Sequence, residues 1–391
     1  MTTLRTNLFM VALALALLGN VMVYSATAIE YGTHYLIVRF AHLALGVAAF
    51  FVASKVRYTS WRGLSPYLYV VVLVSLILVL LPGIGPEVNG ARRWLYLGPM
   101  SVQPAEFAKL AGILLLSCAV ARARPGSGLP LWPVLAVGLL FVLVFAEPDF
   151  GTSVVVAAGA AGVLWASELR TMDLLLAGAA AVVALFGVML FEPYRRARFL
   201  TFLDPWSVSD GSGYQIVQSM VAIRAGNIFG AGAGAGEGGV SVPEAQTDMI
   251  FALIGEELGL LGMVLVIGAF GFLALGGFAI ALNAPSILGR CMAAGIATMF
   301  AVQTTFNVGA AMGAVPLAGM TLPFVSYGGS SMLVCFAAVG ILYRISEDGE
   351  IAREARPRGV TTGGRAKQRP ASPDRRRRNG RARDPRAVRG G

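Results

Sequence analysis

Charge is scarce in this sequence. Only 13% of its 391 residues are Asp, Glu, Lys or Arg, against about a quarter in a soluble domain. So little charge excludes an ordinary water-soluble globule. Histidine occurs twice, at His34 and His42, too few for a metal centre built on histidine. His42 falls inside an apolar run and is expected to be a hydrogen-bonded interior group. Cysteine occurs three times, and Cys118, Cys291 and Cys335 all lie in or beside apolar runs. An odd, buried set gives neither a disulfide framework nor metal-ligand spacing. The Gly-rich run from Gly230 to Gly239 has no preceding strand and no Gly-Lys-Ser/Thr ending. It is therefore a flexible hinge rather than a phosphate loop.

What is present is apolar: 56% of residues are hydrophobic, and the mean hydropathy is +0.71. A hydrocarbon core about 30 Å thick needs roughly 17–25 apolar residues per helix. Runs of that kind lie near residues 8–27, 36–53, 66–82, 106–120, 129–146, 151–166, 173–191, 250–282, 290–311 and 324–343. The first is too long for a signal-peptide core and reads as an uncleaved span. The fourth and sixth are short, which suits either spans of little tilt or a place in the bundle interior. The predicted fold is all-α and polytopic, with about ten transmembrane helices and a large loop between the seventh and eighth.

The formal charge of +10 is misleading. From Ala352 onward there are 14 basic and 3 acidic residues, so the rest of the chain is near neutral. The basicity belongs to a tail, residues 347–391, which cannot bury a core and is expected to be disordered. It suits anionic lipid, and nothing in it requires nucleic acid. The predicted organisation is thus a membrane domain, residues 1–346, and this tail. Basic residues mark cytoplasmic loops. With the N-terminus inside, the inner segments hold Arg5, then Lys55, Arg57 and Arg62, then Arg122 and Arg124, then Arg170, Arg290 and Arg344. Both termini are then cytoplasmic. Eight basic residues break this pattern: Arg39, Arg92, Arg93, Lys109, Arg195, Arg196, Arg198 and Arg224. Acids gather with them, including Glu87, Glu106, Glu147, Asp149, Glu244 and Asp248. Charge near lipid is costly unless paired or used, so the outer face has the look of a polar site on an apolar scaffold. Within its long loop, the spacing of Ile216, Met220 and Ile223 predicts an interfacial helix over 213–229.

Five stretches are more specific than composition requires. They are Asn89-Gly-Ala-Arg-Arg-Trp-Leu-Tyr-Leu-Gly98, Gln103-Pro-Ala-Glu-Phe-Ala-Lys109, Glu147-Pro-Asp-Phe-Gly-Thr152, Pro243-Glu-Ala-Gln-Thr-Asp248 and Gly319-Met-Thr-Leu-Pro-Phe-Val-Ser-Tyr-Gly-Gly-Ser-Ser331. In this order, each at an outer helix end, they resemble the SEDS family, which includes FtsW, RodA and SpoVE. The resemblance covers about residues 8–346, and Asn89-Gly90, Tyr214-Gln215 and Pro243-Glu-Ala245 are more similar to the division branch than to the elongation branch, which is the alternative. Gln246 stands where the family usually has His, and Met249 where it has Phe. The resemblance implies a peptidoglycan glycosyltransferase that polymerises lipid II outside the membrane, using an undecaprenyl-pyrophosphate-linked glycan. The implied partners are a class B penicillin-binding protein, which crosslinks the strands, and other division proteins.

That chemistry transfers a sugar from a lipid pyrophosphate to a hydroxyl. It needs cations where the leaving anion develops and a base at the hydroxyl. Arg92, Arg93, Arg195, Arg196 and Arg198 are candidate pyrophosphate ligands, because guanidinium groups grip phosphate oxygens bidentately. The alternatives for them are lipid headgroups or salt bridges to Glu87 and Glu192. The resemblance points to Asp248 as the catalytic residue. Its alternative is an N-cap of the eighth helix. Glu106 and Lys109, three apart on one helix face, either bind substrate or neutralise each other. Glu147 and Asp149 suit a helix cap, and Glu256 and Glu257 suit bundle anchors. No metal ligands are assigned, and a divalent cation at the pyrophosphate stays open. Two other classes compete. A lipid II flippase would use the intramembrane charges along a mid-membrane track, and a scaffold would need no acid beside arginines.

Overall fold

The computed structural model describes residues 2–87, 90–98, 100–180, 200–209, 211, 213–236 and 242–354. Within them the helices are α1 (Thr2–Tyr31), α2 (His34–Lys55), α3 (Trp61–Leu80), α4 (Pro104–Val120), α5 (Leu131–Ala146) and α6 (Phe150–Trp165). The described part of α7 is Thr171–Ala180. Then come α8 (Tyr214–Ala225), α9 (Ile250–Leu282), α10 (Ile287–Ala311) and α11 (Gly329–Glu354). Six of these, α1, α2, α3 and α9–α11, are long and apolar enough to cross a membrane. The shorter α4–α6 fall at three more of the expected spans; of the seventh, 173–191, residues 181–191 lie outside the described residues, and α8 is the helix expected in the long loop. A small antiparallel hairpin, β1 (Leu95–Leu97) and β2 (Met100–Val102), leads into α4.

Short α4 lies in the interior, one of the two places its length suits: nearly all of its residues are buried, including Glu106 and Lys109. It packs between α3, α6 and α10, while α2 runs along α11 and α10 runs along α9. Small residues permit these approaches, as is usual between membrane helices. A Cβ at Gly340 would stand 2.6 Å from the carbonyl oxygen of Phe50. Short α6 is capped by Asp149, whose carboxylate accepts from the Thr152 amide at 3.0 Å.

Two spans depart from expectation. The last helix starts at Gly329, five positions after the predicted residue 324. Phe324 has φ +64, outside the helical region, and the backbone from 324 to 326 is held by a side chain from α2. Arg39 is fully buried. Its guanidinium donates to the carbonyls of Phe324 (2.5 Å), Val325 (2.6 Å) and Ser326 and to Asn20 Oδ1 (3.1 Å). Gly19 on α1 makes room for this, since a Cβ there would lie 2.5 Å from the Val325 oxygen. At its other end α11 continues past residue 346 to Glu354, and residues 355–391 lie outside the described residues.

The second departure is in α9, which the apolar run presents as one helix. It is broken at Gly259, where φ is +66 and ψ is −164. A break frees carbonyls before it and amides after it, and buried free groups are costly. The segment 227–232 supplies both sets of partners. Ala231 and Gly232 amides donate to the Glu256 and Glu257 carbonyls, and Leu260 and Leu261 amides donate to Asn227 and Ile228. Gly230 and Gly232, both at positive φ, allow the chain to lie this close. The start of the glycine run, 230–232, therefore helps to plug a broken helix.

Arg39→Met keeps the bulk but strips the 324–326 carbonyls of their donors. Each buried orphan costs about 1–3 kcal/mol. We expect a loss of about 3 kcal/mol or more, measured by thermal unfolding of the solubilised protein. A variant melting with the wild type would show that the loop is held by other means.

Candidate active site

The loop between α10 and α11, residues 318–328, with the first residues of α11, gathers the motif-bearing segments. Asn307 on α10 is buried and its amide bridges two carbonyls, Asp248 (2.9 Å) and Met320 (2.7 Å). Ser326 Oγ donates to the Thr247 carbonyl at 2.5 Å, and the Tyr327 amide donates to the Gln246 carbonyl at 2.8 Å. Three consecutive carbonyls, Gln246 to Asp248, are thus fixed from α10 and this loop. Just upstream, Glu244 adopts φ +55 and its carboxylate accepts from Thr247 Oγ1 at 2.8 Å. Asp248 itself is partly exposed. It is not the cap of α9: that position is Met249, which makes no side-chain cap bond.

Beneath this loop lies a buried ion pair. Lys109 Nζ meets Glu106 at 2.7 Å, with both side chains almost wholly buried. Lys109 also donates to Gln303 Oε1 (2.9 Å), and Gln303 Nε2 donates to the Thr321 carbonyl (2.8 Å). The pairing expected from their spacing is therefore present, and it supports the loop through α10.

The third part is the turn between α5 and α6. Arg93 donates to the carbonyls of Glu147 (Nε, 3.0 Å) and Pro148. Asp149 is buried and also accepts from Gln103 Nε2 at 3.0 Å. The Gln103 amide donates to Ser330 Oγ at 3.0 Å, which ties the α4 entry to α11. Burial, first of all, pushes the Asp149 carboxyl up, against Arg93 and the Thr152 bonds. Glu147 is fully buried, and neither carboxyl oxygen has a hydrogen-bond partner. Burial and then the Asp149 charge push its pKa up to about 9, with Arg93 opposing. It is held as the neutral acid.

The arginines divide. Arg92 pairs with exposed Glu87 at 3.3 Å, the salt-bridge alternative raised by the sequence. Arg93 holds the Glu147 turn. Arg195, Arg196 and Arg198 lie outside the described residues. Glu257 anchors α9, accepting from the Ser25 hydroxyl on α1 and from the Gly234 amide at 3.0 Å. His42 is not the satisfied group expected: its Nδ1 is buried without a partner, and its ring packs near Tyr327. Among the described residues no three His, Cys, Asp or Glu side chains gather to hold a metal. Arg39, Gln303, Asn307 and Ser326 were not singled out as site residues from sequence. The available signal was polar Gln303 and Asn307 one turn apart on an apolar helix.

Fold and site together define a multi-pass membrane protein with a partly exposed carboxylate seated on converging loops at one end of the bundle. The chain belongs to the FtsW/RodA/SpoVE family, described as cell cycle proteins, which matches residues 5–350. It is 36% identical to stage V sporulation protein E of Bacillus subtilis over 361 residues, 88% of this chain and 99% of that one. It is 39% identical to a probable peptidoglycan glycosyltransferase FtsW of Shewanella sediminis, over 88% of this chain and 87% of that one. Among solved structures it resembles a chain of a peptidoglycan synthase complex that coordinates polymerization and crosslinking. The TM-score is 0.73 at 31% identity, covering 88% and 97% of the two chains. The rod shape determining protein RodA of Thermus thermophilus gives 0.66 at 30% identity, covering 88% and 96%.

The Glu147 carboxyl has a consequence for stability. Below its ordinary pKa of 4.5 folded and unfolded chains are both protonated there; between 4.5 and about 9 the folded chain holds the extra proton. Stability therefore falls as pH rises through that window, by up to ~1.4 kcal/mol per pH unit. Glu147→Gln removes the proton to be lost. Its melting temperature should vary less than the wild type's between about pH 6 and pH 8. Parallel profiles would mean that Glu147 is ionised in the fold.

Proposed function

We propose that this chain is a peptidoglycan glycosyltransferase that polymerises lipid II on the outer face of the cytoplasmic membrane, serving septal wall synthesis. Asp248 is its base. The observation that carries this is the seating of Asp248. Its own carbonyl and the two before it are fixed by Asn307, Ser326 and Tyr327, while the side chain stays partly exposed. A base must be positioned within hydrogen-bond reach of its proton, and a fixed backbone under an accessible carboxylate meets that need. A cap role for Asp248 is weakened because Met249 occupies the cap position.

In the reaction the acceptor hydroxyl oxygen bonds to the anomeric carbon of the lipid-linked glycan. The bond from that carbon to the pyrophosphate oxygen breaks. Asp248 takes the hydroxyl proton, and undecaprenyl pyrophosphate leaves as the anion. Arg92 is suited to that anion, because its pair with Glu87 is exposed and surface pairs exchange at little cost. Arg93 acts by holding the 147–149 turn, and Arg195, Arg196 and Arg198 complete the cation set. Glu106 and Lys109 act beneath the site as support for its loop. Both termini are cytoplasmic. A class B penicillin-binding protein crosslinks the strands, in keeping with the similarity to a synthase complex.

A general base contributes roughly 10²–10⁴-fold to rate. Asp248→Asn should fold and insert yet lose about that much strand formation, read on gels with fluorescent lipid II. Near wild-type strands from this variant would remove Asp248 from the chemistry. Loss of lipid II translocation in liposomes, with no polymerase activity in the wild type, would favour a flippase instead.

Arg92→Gln with Arg93→Gln keeps hydrogen bonding and removes charge. We expect weaker use of lipid II, seen as a raised KM, with the protein folded. An unchanged KM and rate would leave Arg92 with its surface pair to Glu87 and Arg93 with the 147–149 turn.

A further inference from the structure

At the end of the bundle that holds Thr2, Lys55 and Glu350, a cavity of about 440 Å³ opens between α1, α2 and α11. Its wall is aromatic. Phe9 stacks on Phe50 at 4.2 Å, Phe50 meets Tyr343 edge-on at 5.6 Å, and Phe51 lies 5.3 Å from Phe50. Lys55, Arg344 and Glu347 are its charged lining residues, two cations against one acid. An aromatic wall with a net positive lining matches an acyl chain with an anionic head.

The charges at the mouth are unequal in their commitments. Arg344 is shared between Glu347 (2.8 Å) and Asp348 (2.7 Å), yet its Nε is buried without an acceptor. Arg5, 5.0 Å above the Tyr343 ring, pairs with Glu347 (3.8 Å) and Glu350 (3.4 Å) and likewise keeps an Nε without an acceptor. Lys55 is exposed, and among the described residues no carboxylate lies within ion-pair distance of it. As the last residue of α2 it is held at the rim of the groove. Arg5 and Arg344 are thus committed to carboxylates, and Lys55 is the uncommitted cation.

We propose that this groove binds one anionic glycerophospholipid of the adjoining leaflet, its phosphate at Lys55 beside Arg344 and one acyl chain along Phe9 and Phe51. A zwitterionic lipid brings its own ammonium to Lys55 and loses the attraction. A water-soluble anion would leave the aromatic wall uncovered. This site is separate from the Asp248 chemistry, so its test does not depend on polymerisation.

The test uses the solubilised full chain and native mass spectrometry, with dioleoyl phosphatidylglycerol and dioleoyl phosphatidylcholine as probes. One lysine near an anionic headgroup gives about fivefold preference for phosphatidylglycerol. Lys55→Glu should bring the ratio to about one, and Lys55→Arg should keep it. Arg57→Glu, equally exposed but outside the groove, should also keep it. Equal binding of the two lipids by the wild type would overturn the site. So would an Arg57→Glu loss equal to that of Lys55→Glu, which means diffuse surface attraction. Loss of the preference on truncation after Glu354 would assign it to the tail and overturn the groove as well.

Discussion

The end of the bundle that carries Asp248 depends on one buried cation. Arg39 is fully enclosed and forms no ion pair among the described residues. Burying such a group costs several kcal/mol unless its donors are met. They are met by the carbonyls of residues 324–326 and by Asn20. The dependence is mutual: a non-helical turn inside a membrane protein has carbonyls that need donors, and a guanidinium supplies them in a fixed fork. Once that turn is fixed, Ser326 and Tyr327 are fixed, and with them the carbonyls that seat Asp248. The charge does structural service at a distance from the chemistry.

The same device recurs around the site. Polar side chains from helices donate to loop carbonyls: Asn307 to Asp248 and Met320, Gln303 to Thr321, Arg93 to Glu147 and Pro148. Irregular backbone at membrane depth is tolerated where protein groups replace water as partners. The Glu147 carboxyl departs from this pattern, since its backbone is gripped while its side chain is not. Protonation is how an unpartnered buried acid lowers its cost. The turn therefore carries a neutral acid beside Asp149, and the local charge near Arg93 is smaller than the sequence suggests.

The helices were legible because hydropathy is a local property, and Glu106–Lys109 was legible because a spacing of three on a helix makes neighbours. The capping role of Asp149 was readable for the same reason, its partner Thr152 being three residues on. Long-range pairs were not. Arg39 reads in sequence as an unexplained intramembrane charge, because its carbonyl partners lie 285 or more residues away. Asn307 and Gln303 read as ordinary polar interruptions of α10. The late start of α11 followed from Arg39 and so was hidden with it. The break at Gly259 was hidden differently. Glycine is frequent in membrane helices, so one glycine in a long apolar run marks nothing until its partners in 227–232 are known.

That break bears on how Asp248 is held. An unbroken α9 would couple Asp248 to a spanning helix, whose tilt is set by lipid and by packing along its whole length. With the break, the piece from Ile250 to Leu258 is buried among protein groups and ends where Glu257 is tied to Ser25 and Gly234. The spanning piece after Gly259 is joined to it through the backbone exchange with 227–232. Asp248 is then held on one side by Ser326 and Tyr327, and on the other by a short helix pinned at its far end. Catalytic geometry tolerates little misplacement. A spanning helix rocking in lipid would transmit its motion to the carboxylate, whereas a short segment fixed at both ends confines it.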